Sequence, residues 1–234
     1  AYEKIMAEHP EDVITRTGHA EVLKSLNLLP EAREAYEKIM AEHPESVVAR
    51  SGHTEVLKSL NLLPEAREAY EKIMAEHPED VVARSGHAEV LKSLNLLPEA
   101  REAYEKIMAE HPESVVARNG HAEVLKSLNL LPEAREAYEK IMAEHPEDVI
   151  TMTGHAEVLK SLNLLPEARE AYEKIMAEHP ESVVARSGHT EVLKSLNLLP
   201  EAREAYEKIM AEHPESVVAM TGHAEVLKSL NLLP

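Results

Sequence analysis

Residues 35–68 read AYEKIMAEHPESVVARSGHTEVLKSLNLLPEARE, and the chain restates that wording at a fixed period of 34. Copies begin at Ala1, Ala35, Ala69, Ala103, Ala137, Ala171 and Ala205, the last one incomplete, so 234 residues hold almost seven statements of one unit. A period of this size marks stacked supersecondary units, each too small to bury its own apolar face and each leaning on the next. The expected architecture is an all-α solenoid, a superhelix of antiparallel helix-turn-helix repeats forming a single array over residues 1–234.

The quoted unit and the start of the next copy punctuate themselves. His43-Pro44-Glu45-Ser46 is a breaker followed by an N-cap, because Ser46 can accept a bond from a free N–H of the first helical turn. Asp12, Asp80 and Asp148, or Ser114, Ser182 and Ser216, stand at the same position, and both residue types cap well. A first helix, helix A, is expected from about Val47 to Leu60. Its apolar stripe is Ala49, His53, Val56, Leu57 and Leu60. Asn61 is the expected C′ residue, since Asn tolerates the left-handed conformation. Pro64 then opens helix B in its first turn, where a missing N–H costs nothing. A second stripe follows at helical spacing: Ala66, Ala69, Tyr70, Ile73 and Met74. Glu65, Arg67, Glu68, Glu71 and Lys72 make the wet side, with Arg67 and Glu71 as an i,i+4 pair.

Composition agrees with two helices per unit. Apolar residues make up 44% of the chain, enough for a continuous aliphatic layer, while the aromatics are seven Tyr with no Phe or Trp. The net charge of −18 repels phosphate, so nucleic acid and anionic membrane are poor partners. Cys is absent, which excludes disulfides and thiol chemistry. No apolar run approaches the roughly 18 residues of a membrane span and no signal peptide is visible, so a soluble, cytoplasmic setting is expected. A start at Ala1 in mid-repeat reads as a segment of a longer array.

These residues resemble the tetratricopeptide repeat, whose signature is W-x2-L-G-x2-Y, then A-x3-F, then P. Ala32-x3-Tyr36 followed by Pro44 matches the second half at the family's spacing, and does so in every complete copy. Arg50-x2-His53-Thr54-x2-Leu57 stands where the aromatic, Leu, Gly and Tyr of the first half are expected. The wording is similar to bacterial arrays of near-identical copies. The resemblance implies a non-catalytic protein–protein interaction scaffold in which helix A of each repeat lines a concave groove for a peptide or helix. The residues matching that face are Val47, Ser51, Glu55, Lys58 and Ser59, with their equivalents. A small polar row continues through Ser85, Asn119, Thr153 and Ser187. A glutamate row continues through Glu89, Glu123, Glu157 and Glu191, and a lysine row through Lys92, Lys126, Lys160 and Lys194. Adjacent acidic and basic rows imply a groove without strong charge sign. The family's Lys and Asn clamp for a terminal carboxylate is missing, and so is an inner Asn ladder, since Asn119 alone lies on that face.

Only the positions of residues 12, 14, 15, 16, 17 and 20 vary between copies, all at the cap or in the first half of helix A. The large changes are Arg16 against Met152 and Arg186 against Met220. Residues 1–68 and 137–204 differ only at Arg16/Met152, a longer duplication superimposed on the shorter one.

The 14 His fall two per copy, ten residues apart as in His43 and His53, which is not the i,i+4 spacing of a helical metal site. No metal or cofactor is expected. His53 interrupts an apolar stripe, so a packed histidine that acid must charge is expected there, with solubility or assembly changing between about pH 5 and 6.5. Gly52, in helix A, is expected to permit close approach of a neighbouring helix. No Ser-His-Asp spacing, Gly-rich phosphate loop or carboxylate pair marks a catalytic centre, so no enzyme is expected.

Two alternatives to a scaffold are carried forward. Helix B is cut at Ala1-Tyr2-Glu3, and helix A ends unpartnered at Leu232-Leu233-Pro234, so head-to-tail self-association into a filament is one. An engineered or model array without a specific ligand is the other.

Overall fold

The structure is a computed structural model that describes residues 12–232. The opening stretch read as helix B from Ala1-Tyr2-Glu3 and the closing Leu233-Pro234 lie outside them. Helix A of successive copies forms α1 (Val13–Ser25), α3 (Val47–Ser59), α5 (Val81–Ser93), α7 (Val115–Ser127), α9 (Val149–Ser161), α11 (Val183–Ser195) and α13 (Val217–Ser229). Helix B forms α2 (Leu29–Glu42), α4 (Leu63–Glu76), α6 (Leu97–Glu110), α8 (Leu131–Glu144), α10 (Leu165–Glu178) and α12 (Leu199–Glu212). Among the described residues there is no strand. The fold is an all-α solenoid of helical repeats.

Local chemistry sets the helix ends. Ser46 Oγ accepts from the Ala49 N–H at 3.3 Å, while the Asp80 carboxylate accepts from Val82 and Ala83 at 2.9 and 3.1 Å. Ser and Asp therefore do the same work, about 1 kcal/mol per cap. At the other end of α3, Asn61 has φ 59°. Its N–H donates to Lys58 O at 3.0 Å and the Leu62 N–H reaches back to Leu57 O at 2.9 Å. This is a Schellman closure, and it needs the left-handed residue that Asn supplies. Pro64 lies in the first turn of α4.

Those tight connections fold each helix back on its predecessor, and the apolar stripes meet at the seams. Tyr36 and Ile39 of α2 pack with Ala49 and Val56 of α3. Leu57 of α3, Tyr70 and Ile73 of α4, and Ala83 and Val90 of α5 repeat the arrangement one copy on. Of the stripe expected in helix A, Ala49, Val56 and Leu57 are fully buried, and Gly52 and Thr54 join them. Thr54 spends its hydroxyl on Arg50 O at 2.7 Å.

The chain groups into two compact units, one ending at Gly120 and the next beginning at His121, inside α7. The period of 34 runs through that boundary unbroken. From α1 to α6 and from α8 to α13 each helix packs on those before and after it, and α1 with α3, α9 with α11 and α11 with α13 also touch. The interior is therefore a series of shared seams, as the repeat predicts.

Candidate functional site

Tyr70 is where fold and surface meet. Its ring is buried, and a Cβ added to Gly86 of α5 would stand 2.4 Å from it, so the glycine gives the ring its room. The close approach expected of Gly52 is made by a side chain, Tyr36, at the same distance. Tyr70 then sends its hydroxyl to Glu55 of α3, donating a short hydrogen bond, and Tyr36 does the same to Glu21 of α1. Burial pushes both phenols far above the ordinary tyrosine range, and the carboxylate each one meets adds to it. Burial works against ionisation of Glu21, yet the bonds from Tyr36 and Lys24 hold its carboxyl below the usual range.

The glutamate and lysine rows are tied to each other. In the first unit Lys58 reaches Glu55 at 3.2 Å and Glu89 of the following copy at 3.5 Å. In the second, Lys126 meets Glu157 at 2.5 Å, Lys160 meets Glu191 at 2.6 Å and Lys194 meets Glu225 at 2.5 Å. The Glu225 carboxylate holds the Lys194 ammonium above its ordinary pKa, and Lys194 holds the Glu225 carboxyl below its own. Neither Lys92 nor Glu123 is without an interaction of its own. Ser59 and Ser195 donate to the carbonyls of Glu55 and Glu191 in their own helices, at 3.0 and 2.9 Å. Ser51, Ser85, Thr153 and Ser187 are half-buried, and Asn119 is buried.

In the second unit these rows line one cleft of about 580 Å³. Its lining is Lys160 of α9, Glu191, Lys194 and Ser195 of α11, Tyr206 of α12, and Val217, Val218, Thr221, Gly222 and Glu225 of α13. Val217 belongs to the Val47 row named from the sequence, whereas the sequence reading misses the row of Val218. Val48 and Val82 in the first unit and Val184 and Val218 in the second are 66, 74, 58 and 65% exposed. Ile14, Val116 and Ile150 hold the same position and are exposed as well. An aliphatic residue off the buried stripe, varying only between Val and Ile, is the signal that marks this row in the sequence.

A second set of clefts, about 300 Å³ each, recurs between successive B helices. Met40, Leu57 and Ala69 floor one of them, with Arg50, His53 and Lys72 around it. The His53 side chain is 12% exposed, and its Nε2 lies 3.5 Å from Glu37 Oε1. Burial drives its pKa down against the pull of Glu37. Arg50 leaves the same rim to pair with Glu76 at 2.7 Å, joining the start of helix A to the end of helix B. Arg16–Glu42, Arg84–Glu110 and Arg186–Glu212 repeat the pair. Met152 instead sits 2% exposed among Tyr172, Ala156 and Leu159. Among the described residues no three of His, Cys, Asp and Glu converge as a metal site, and no helix is long and apolar enough to cross a membrane.

A family model for the tetratricopeptide repeat matches residues 56–115 and 85–149. The copies on either side carry the matched wording with changes at no more than six positions. Residues 56–149 match the tetratricopeptide repeat family. No curated protein matches the chain in sequence. Among solved structures, it is similar to a tetratricopeptide repeat protein from Parabacteroides merdae, with TM-score 0.83 and 18% identity over 97% of this chain and 90% of that one. It is also similar to a chain of the APC/C hetero-tetramer Cut9–Hcn1, with TM-score 0.81 and 14% identity over 97% of this chain and 45% of that one. YrrB, described as a tetratricopeptide repeat protein with an unusual peptide-binding site, aligns with TM-score 0.54 and 20% identity over 79% of this chain and 95% of its own. At these identities the likeness is one of fold. Tetratricopeptide repeat architecture is consistent with a scaffold for protein interaction.

Proposed function

We propose that this protein is a non-catalytic scaffold that receives a peptide or protein segment in the groove lined by helix A. The observation that carries the reading is the 580 Å³ cleft, which gathers Lys160, Glu191, Lys194, Thr221 and Val218 from three consecutive A helices onto one surface. It is about twice the volume of each cleft on the helix-B side. YrrB, of the same fold, is described by its peptide-binding site, which supports a peptide as ligand. The reading of residues 1–234 as a single array stays with this proposal, on the unbroken period.

The test is a selection of displayed peptides against the whole chain, followed by groove-filling substitutions. Ser187→Trp and Thr221→Trp occupy the groove and should abolish binding of the enriched peptides. Lys208→Ala, on the helix-B side, should leave it unchanged. Binding that survives both tryptophans and is lost with Lys208→Ala places the ligand on the other face and overturns the reading.

A further inference from the structure

Asn119-Gly120 is the one place where a difference between copies brings new chemistry. Thr17, Ser51, Ser85, Thr153, Ser187 and Thr221 precede the same glycine elsewhere, and a hydroxyl side chain carries no acyl carbon. The carboxamide of Asn119 does, and the backbone nitrogen of the following residue can attack it. The other seven asparagines, from Asn27 to Asn231, each precede leucine, whose side chain crowds that approach. Glycine, with no Cβ, leaves the path open.

The reaction needs only water. The Gly120 nitrogen attacks Asn119 Cγ, and the new C–N bond closes a five-membered succinimide. The carboxamide nitrogen leaves as ammonia, taking the proton that the Gly120 nitrogen gives up. Water then opens the ring at either carbonyl, giving aspartate or, with one more methylene in the backbone, isoaspartate.

The fold stands against the first step. Asn119 and Gly120 lie inside α7, where an amide N–H is directed at the carbonyl four residues back and not at the preceding side chain. Asn119 is 8% exposed, and Ala117, Ala122 and Val124 of the same helix are fully buried. The Tyr104 ring packs directly against Gly120. The two residues must therefore leave the helix before they can react.

We infer that Asn119-Gly120 is a self-modification site whose rate is set by local opening of α7. Its products are lasting. Aspartate puts a charge at a buried position, and isoaspartate breaks the spacing of the backbone hydrogen bonds, so each event weakens α7. The site is independent of what the groove binds.

The experiment follows the whole chain at physiological pH and temperature, with peptide mapping by mass spectrometry to locate each lost amide. In the urea-unfolded chain Asn119 should convert before any other asparagine. Hydrogen exchange of the Gly120 amide measures the fraction of time that α7 is open. The rate in the folded chain should equal the unfolded rate multiplied by that fraction, at least about tenfold slower, and should rise with it as sub-denaturing urea is added. Asn119→Ser, which repeats the wording of Ser85, should fold as before and lose the early event. A folded-chain rate above the product shows reaction within the intact helix, and a rate below it shows that opening does not admit the attack. Either result, or another asparagine converting first in the unfolded chain, overturns the inference.

Discussion

The ring of Tyr70 occupies the space that any side chain on Gly86 would need, and the same pairing recurs between Tyr36 and Gly52, Tyr104 and Gly120, and Tyr172 and Gly188. Helix propensity alone favours alanine over a mid-helix glycine by about 1 kcal/mol. Sterics decide the other way here, since the contact is with the hydroxyl end of a buried ring that is held in place by its hydrogen bond to Glu55. Gly86→Ala is expected to destabilise the α4–α5 seam by about 1–3 kcal/mol. Tyr70→Leu should recover part of that loss in the double variant. Urea unfolding of the four members of the cycle measures the coupling, and additive effects would break the argument.

Acid should loosen the seams through His53, His87 and His155. Burial lowers the pKa of each in the folded chain. His53 is faced by Glu37 and Arg33 of α2 and by Glu65 of α4, and burial outweighs them. The unfolded chain therefore binds protons first, and stability falls as pH drops below about 6.5. The Glu37 carboxyl, held down mainly by Arg33, adds a further loss only below the ordinary carboxylate range. The melting temperature should fall by about 3–6 °C between pH 7.5 and 5.5. Replacing the three histidines with Asn should flatten that interval. A profile that keeps its slope without them assigns it to other groups.

Alkali should act through the tyrosines. Tyr36, Tyr70, Tyr138 and Tyr172 are raised far above their ordinary values, by burial before anything else. Stability from this source is complete below about pH 10 and declines as pH rises beyond it, because only the unfolded chain ionises easily. Phenolate absorbance should thus appear together with the loss of helical circular dichroism. Ionisation that precedes helix loss would show the hydroxyls to be open to solvent.

Arginine at the start of helix A is replaceable. Arg84 bridges to Glu110 at 2.6 Å, while Met152 fills the equivalent place by packing alone. Much of the arginine's value lies in its buried stem, which methionine keeps. Arg84→Met is expected to shift stability by less than about 1 kcal/mol and to reduce its dependence on salt. Arg84→Ala, which loses the stem as well, should cost more in a thermal melt.

What could be read from the sequence follows from distance along the chain. The caps at Ser46 and Asp80, the left-handed Asn61 and the entry at Pro64 depend on neighbours within a few residues, and their chemistry is visible in any one copy. Ala49, Val56 and Leu57 follow from helical periodicity. Periodicity does not say which neighbouring helix covers which face, and so the exposure of Val48 stays hidden beside the half-buried Val47. Likewise nothing local pairs Tyr70 with Glu55, fifteen positions away, or turns a glutamate expected to meet ligand into the acceptor for a buried phenol. Lys58 and Glu89 lie on neighbouring copies, and only their side-by-side stacking joins them.

The confinement of the described packing to a repeat and its neighbours has a genetic corollary. A slipped replication event that inserts or removes one whole period in the coding DNA creates a junction identical in kind to those already present. The mutant allele encodes a longer or shorter protein with every joint intact, so length itself becomes a trait that selection can adjust without first repairing a misfolded intermediate.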